Sequence, residues 1–122
     1  IAENKVLIFG EVKKPGLYPR KPGLTLMDAI GLADGYTIYA VLRNTAIIRT
    51  TNQNSEILVA NLDKLIKDGD ISQNLPLANN DIVYVPRSLI GDWNVFVQKI
   101  RPTFELISIP ISTIVTIKVL GD

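Results

Sequence analysis

The chain has 122 residues, 47% hydrophobic and 20% charged, enough apolar side chain for one core of single-domain size without disulfides or metal. Thirteen basic against twelve acidic residues leave a net charge of +1, far from the clustered cations on which nucleic-acid binding relies. With no cysteine and no histidine, disulfides, thiolate metal sites and a histidine general base are excluded, which leaves carboxylates alone for catalysis and argues against an enzyme.

In chain order, Lys5 to Val12 is apolar and rich in β-branched and aromatic residues, with Val6, Ile8 and Val12 on one face and Leu7 and Phe9 on the other. It reads as a strand buried on both sides. Pro15-Gly16 suits a type II turn, so Leu17 to Arg20 is expected to return as a hairpin partner that Pro19 restricts to a sheet edge. Thr25 and Asp28 form a capping-box pattern ahead of Leu26, Ala29, Ile30 and Ala33, which recur at helical spacing, and Gly35 sits at a helix end. The stretch 36 to 44 suits either a strand or a connection. Thr45 to Thr50 and Glu56 to Ala60 read as a second hairpin. Leu62, Leu65 and Ile66 mark a short helix between an Asn61 N-cap and a Gly69 stop, and Ile82 to Val85 is apolar on both faces, as a central strand requires. Hairpin, helix, hairpin, short helix and central strand is the order of an α+β, β-grasp-like fold: a mixed sheet with one main packed helix.

Specific residues also carry a resemblance. Gly10-Glu11-Val12, Pro15-Gly16-Leu17-Tyr18, Thr25 to Ile30, Ala33-Asp34-Gly35 and Asp81 to Pro86 resemble the SLBB (soluble-ligand-binding β-grasp) domain. With the apolar extension that follows, the closing Asp-Ile-Val-Tyr-Val-Pro is similar to outer-membrane polysaccharide export proteins of the Wza type. That resemblance implies periplasmic or outer-membrane localisation in a bacterium, ring-shaped homo-oligomers and passage of capsular or extracellular polysaccharide. It also implies contact with outer-membrane lipid and with an inner-membrane polysaccharide co-polymerase, and no cofactor. The chain opens at Ile1 without a signal peptide, so an export signal is expected upstream of a fragment.

The boundaries expected are an SLBB-like domain over 1–86 and a C-terminal extension over 87–122. Within the extension, Ile90, Trp93, Val97, Ile100 and Phe104 recur at helical spacing with Phe96 on their flank, predicting an amphipathic helix over 88–101 capped by Ser88. Phe104 to Leu120 holds two charges and approaches the length that spans a bilayer. Ile107, Ile109, Ile111, Val115, Ile117 and Val119 alternate as a strand would, so helix and strand both remain open. Trp93, Phe96, Ile100 and Phe104 are the candidate membrane contacts. The hydroxyls of Ser108, Ser112, Thr113 and Thr116 suit helices around a wet pore. The competing expectation is a helix and a strand that cover the domain's own core.

The hairpin motif of Gly10, Glu11, Val12, Pro15, Gly16 and Tyr18 is expected to be structural. Lys13, Lys14, Arg20 and Lys21 surround it as candidate contacts for a polyanion or a neighbouring subunit, against a solvated hairpin tip. Asp68 and Asp70, and Asn79 to Asp81, lack the spacing of a calcium loop and read as turn chemistry. The four tyrosines are candidate sugar-stacking faces. No catalytic residue, metal ligand or phosphate loop stands out. The leading expectation is a structural subunit of a polysaccharide-export channel, with a soluble glycan- or small-ligand-binding module as its alternative and a ubiquitin-like adaptor as a third.

Overall fold

A computed structural model describes residues 4–51, 54–106 and 115–120. Six strands form one sheet: β1 (Lys5–Gly10), β2 (Gly16–Pro19), β3 (Thr45–Thr51), β4 (Asn54–Ala60), β5 (Ile82–Val85) and β6 (Val115–Val119). Their spatial order is β2-β1-β5-β3-β4-β6. β1 pairs parallel to β5 and β4 parallel to β6, and the remaining pairs are antiparallel, so the sheet is mixed. Both hairpins and the central position of β5 are as the apolar patterning predicts.

Strand alternation divides the core into two layers. Val6, Ile8, Ile47, Leu58, Val83 and Val85 face one side, where α1 (Leu26–Leu32) contributes Leu26, Ala29 and Ile30, and α2 (Leu62–Asp68) contributes Leu62 and Leu65. Leu7, Phe9, Ile48, Ile57, Ile82 and Tyr84 face the other side, beneath Trp93, Phe96, Val97 and Ile100 of α3 (Trp93–Leu106). Each fully buried Ile, Leu or Val stabilises by about 1.5–3 kcal/mol, which is why a one-residue register slip is not tolerated in a sheet covered on both faces.

Local chemistry sets the helix limits. Thr25 Oγ1 accepts from the Asp28 N–H at 3.3 Å while Asp28 Oδ2 accepts from the Thr25 N–H at 3.1 Å, the reciprocal capping box expected. At the other end the Gly35 N–H donates to the Ile30 carbonyl and the Asp34 N–H to the Gly31 carbonyl, a Schellman closure. Two successive residues in it have positive φ, Asp34 at +62° and the expected glycine, Gly35, at +89°. Asn61 caps α2 through Lys64 N–H at 2.9 Å, and Gly69 ends it at φ +67°. Residues 36–44 form a connection that closes in a single 3-10 turn, Leu42–Asn44.

Two expectations change. The first hairpin does not turn tightly at Pro15-Gly16: Gly16 has φ +159° instead of the roughly +80° of a type II turn, and it already pairs with Ile8 as the first residue of β2. β1 ends at Gly10, and residues 11–15 form a wide loop because their backbone hydrogen-bonds to the end of α1 instead of to itself. The Lys13 N–H donates to the Gly35 carbonyl, and the Lys14 N–H to the Ala33 carbonyl.

Ser88 does not cap the third helix. Residues 86–90 dock on the 3-10 turn, with the Val41 N–H donating to the Pro86 carbonyl at 2.8 Å and the Ile90 N–H to Asn44 Oδ1 at 3.3 Å. The helix therefore starts at Trp93, where Asp92 Oδ1 accepts from the Asn94 and Val95 N–H groups at 3.0 and 3.3 Å. Replacing Asp92 by alanine is expected to cost about 1 kcal/mol, read as a lowered midpoint in thermal or urea unfolding. The helix also continues through Pro102 to Leu106, although proline has no N–H to donate to the Gln98 carbonyl.

The described parts of the C-terminal extension join the domain's sheet. α3 lies on the second face of the sheet, and β6 adds to its edge in register Ser55↔Val115 to Val59↔Val119. The open choice between helix and strand falls to strand for 115–119 and to helix for 104–106. Residues 107–114, which include Ile107, Ile109, Ile111, Ser108, Ser112 and Thr113, lie outside the described residues.

Candidate functional site

The first loop starts from a backbone constraint. Gly10 has φ +92°, and a Cβ there would lie 2.2 Å from the Val85 carbonyl oxygen and 3.0 Å from the Tyr84 ring. No side chain fits, so β1 crosses β5 closely and leaves it at this residue. Past it, the Glu11 N–H donates to the Val85 carbonyl at 2.8 Å, and the Glu11 carbonyl accepts from the Thr37 N–H at 3.0 Å. Thr37 Oγ1 donates to Glu11 Oε1 at 2.7 Å. Val12 is buried in the first layer and bridges Tyr36, and the Tyr18 hydroxyl donates to the Lys14 carbonyl. The motif Gly10 to Tyr18 thus ties β1, β5, the end of α1 and the 36–41 connection together. Pro15 is exposed at the loop's tip.

The four cations do not make one patch. Lys13 and Lys14 lie before β2 and Arg20 and Lys21 after it, separated by the strand's four residues, about 13 Å of extended chain. Lys14 pairs with Asp34 at 3.0 Å, and that hydrogen bond raises its ammonium pKa above the ordinary value. Arg20 Nε donates to the Leu77 carbonyl at 2.8 Å. Lys13 and Lys21 are exposed.

Of the aromatic faces, the Tyr84 ring lies between Phe9 and Phe96, with centroids 4.5 and 5.2 Å away, and burial raises its phenol pKa, with a smaller push from Glu11. It offers no open stacking face. Arg87 covers one side of Tyr39 at 4.3 Å, while Tyr36 and Tyr39 remain half exposed beside Ile38, which is 91% exposed. A crevice of about 350 Å³ opens where residues 86–92 meet α3, with Tyr84, Leu89, Asp92, Phe96 and Lys99 among its walls.

Trp93, Phe96 and Ile100, the candidate membrane contacts, lie half buried on the sheet, with Trp93 edge-on to Phe96 at 5.5 Å. The face they were expected to offer a bilayer is turned onto the protein's own core. The Phe104 side chain lies outside the described residues. No described helix is long and apolar enough to cross a membrane, a statement that does not extend to β-barrels.

Two polar centres owe their partners to the fold. Asp81, 1% exposed, accepts from Arg49 Nε at 3.1 and 3.2 Å, from Arg49 Nη2 at 2.8 Å and from the Ala78 N–H at 2.7 Å. Those bonds raise the guanidinium pKa above its ordinary value. Asp81 is a structural anchor, consistent with the turn reading of residues 79–81. Gln73, also 1% exposed, accepts from the Asn61 N–H at 2.9 Å and donates to the Leu120 carbonyl at 3.3 Å and to Asp70 Oδ2 at 3.4 Å. Ser72 Oγ donates to Asp70 Oδ1 at 2.5 Å, and this bond lowers the Asp70 carboxyl pKa more than its other partners do. Asp70 therefore belongs to turn chemistry as well, and Asp68 is the last residue of α2. Among the described residues no cluster of three or more acidic side chains could hold a metal.

A mixed six-stranded sheet with its principal capped helix across one face defines a β-grasp-like α+β domain. Residues 4–85 match the family described as the SLBB domain, and the chain belongs to that family. The match ends at β5, so α3 and β6 lie beyond it.

Proposed function

We propose that this chain is a non-enzymatic module of a bacterial envelope apparatus that exports capsular or extracellular polysaccharide. Copies pack in a ring through the SLBB domain, and the C-terminal extension reaches the outer membrane. The single observation behind this reading is the SLBB match over 4–85. The exposed apolar residues Leu17, Ile38, Tyr39 and Leu89 support it, since contact with a neighbouring copy would cover them. The assembly's other partners are polysaccharide, outer-membrane lipid and an inner-membrane co-polymerase, and its place is the periplasm and outer membrane.

The test uses the intact chain, because removing α3 would uncover the apolar second face of the sheet. Sedimentation with and without detergent is expected to give a multiple of the 13.5 kDa mass. Trp93, the chain's one tryptophan, is expected to shift its emission to the blue when vesicles are added. A detergent-independent monomer whose emission ignores vesicles would sink the ring and membrane reading. The second reading, a soluble glycan- or small-ligand-binding module, is favoured by the packing of Trp93, Phe96 and Ile100 onto the chain's own sheet.

A further inference from the structure

Between the 3-10 turn at 42–44, α2 and the end of β6 lies a cavity of about 110 Å³ lined by Arg43, Asn61, Lys64, Gln73, Val119 and Leu120. Four features bear on its chemistry. Each charged side chain in its wall is a cation. Lys64 Nζ is 3.7 Å from Asp70 Oδ2, outside the wall, whereas Arg43 makes no ion pair among the described residues. Asn61 Oδ1 is taken by the Lys64 N–H, which leaves its amide N–H₂ to donate. Gln73 holds the cavity's shape, because its side chain is bonded to Asn61, Asp70 and Leu120 at once.

Volume restricts the occupant. Sites that enclose a whole drug-sized ligand measure about 300–1,000 Å³, so this one admits a small group, not a sugar ring. Donors from a guanidinium, an ammonium and an amide over an apolar floor of Val119 and Leu120 suit a planar or tetrahedral oxyanion, and the guanidinium fork matches two oxygens at once. Two other cavities among the described residues do not share this character. The groove beside Arg49 includes Glu56, and its guanidinium is already bound to Asp81; the crevice beside Tyr84 includes Asp92.

We propose that the Arg43–Lys64 cavity binds the oxyanion of an acidic glycan, a carboxylate or phosphate substituent, with the sugar ring outside the cavity. This rests on the ligand-binding side of the reading above and adds the class of ligand to it.

The experiment is an amide-resolved NMR titration of the full chain with glucuronate, inorganic phosphate and glucose at constant ionic strength. Saturable shifts at Asn61, Lys64 and Gln73 are expected with glucuronate or phosphate and not with glucose. Arg43→Gln is expected to weaken binding about tenfold and Arg43→Gln with Lys64→Gln further, whereas Lys67→Gln, on the same helix outside the cavity, leaves it unchanged. A stronger response to glucuronate assigns a carboxylate, and a stronger response to phosphate assigns a phosphate substituent; both support the site. Shifts that never saturate, that appear equally with glucose, or that survive the double variant overturn it. A monomeric, vesicle-blind chain that still shows saturable binding would remove the ring reading and leave the site standing.

Discussion

Replacing Asp81 by alanine is expected to destabilise the fold by about 3–5 kcal/mol, because it leaves the partly buried Arg49 guanidinium without its charged partner, with only the Pro76 carbonyl at 3.0 Å to accept from it. For a domain of this size the loss corresponds to a fall in melting temperature of roughly 10–20 °C, measurable by calorimetry or circular dichroism. The carboxylate also accepts the Ala78 N–H and so shapes the turn that feeds β5. The Arg49→Met, Asp81→Leu double variant separates the causes. If the cost is an uncompensated charge, removing both charges recovers much of the stability. A double variant no more stable than Asp81→Ala would place the cost in the turn instead.

Gly10→Ala is the second large effect, expected to cost roughly 3 kcal/mol or more. Positive φ alone costs a residue with a Cβ about 1–2 kcal/mol. The further cost comes from the Val85 carbonyl, 2.2 Å from the new Cβ, which is backbone in the central strand and cannot move without disturbing the β1–β5 ladder. Gly23→Ala is the control. Gly23 has φ +88° with nothing within 4 Å of its Cβ position, so it carries the conformational cost alone. Equal losses from the two substitutions, measured by urea unfolding, would mean that the close approach at Gly10 contributes nothing.

The Arg49–Asp81 pair and the Gln73 hub both depend on contacts distant in the chain. Arg49 and Asp81 stand opposite each other one step beyond the Ile48↔Ile82 pair, so their contact depends on the register of β3 against β5, which no local pattern encodes. Gln73 is ordinary in sequence and becomes a buried hub because α2, β4 and the end of β6 converge on it. The four cations near the first hairpin are close in the chain, yet β2 holds them at opposite ends, since an extended strand separates what sequence proximity suggests is together.

What the sequence determined by itself was whatever short-range chemistry decides. The apolar alternation of β1 and β5, the Thr25–Asp28 box, the Asn61 cap and the Gly69 stop each act within a few residues, and together they placed the domain's elements in order. Only the tertiary structure decided where α3 and β6 lie, because an amphipathic stripe fits a membrane, a neighbouring copy or the chain's own sheet equally well. Here the second face of that sheet, with Phe9, Ile48, Ile57 and Tyr84, takes Trp93, Phe96, Val97 and Ile100, and the free edge of β4 takes β6. It likewise turned Pro15-Gly16 from a tight turn into the tip of a wide loop, since the amides of Lys13 and Lys14 found carbonyls at the end of α1.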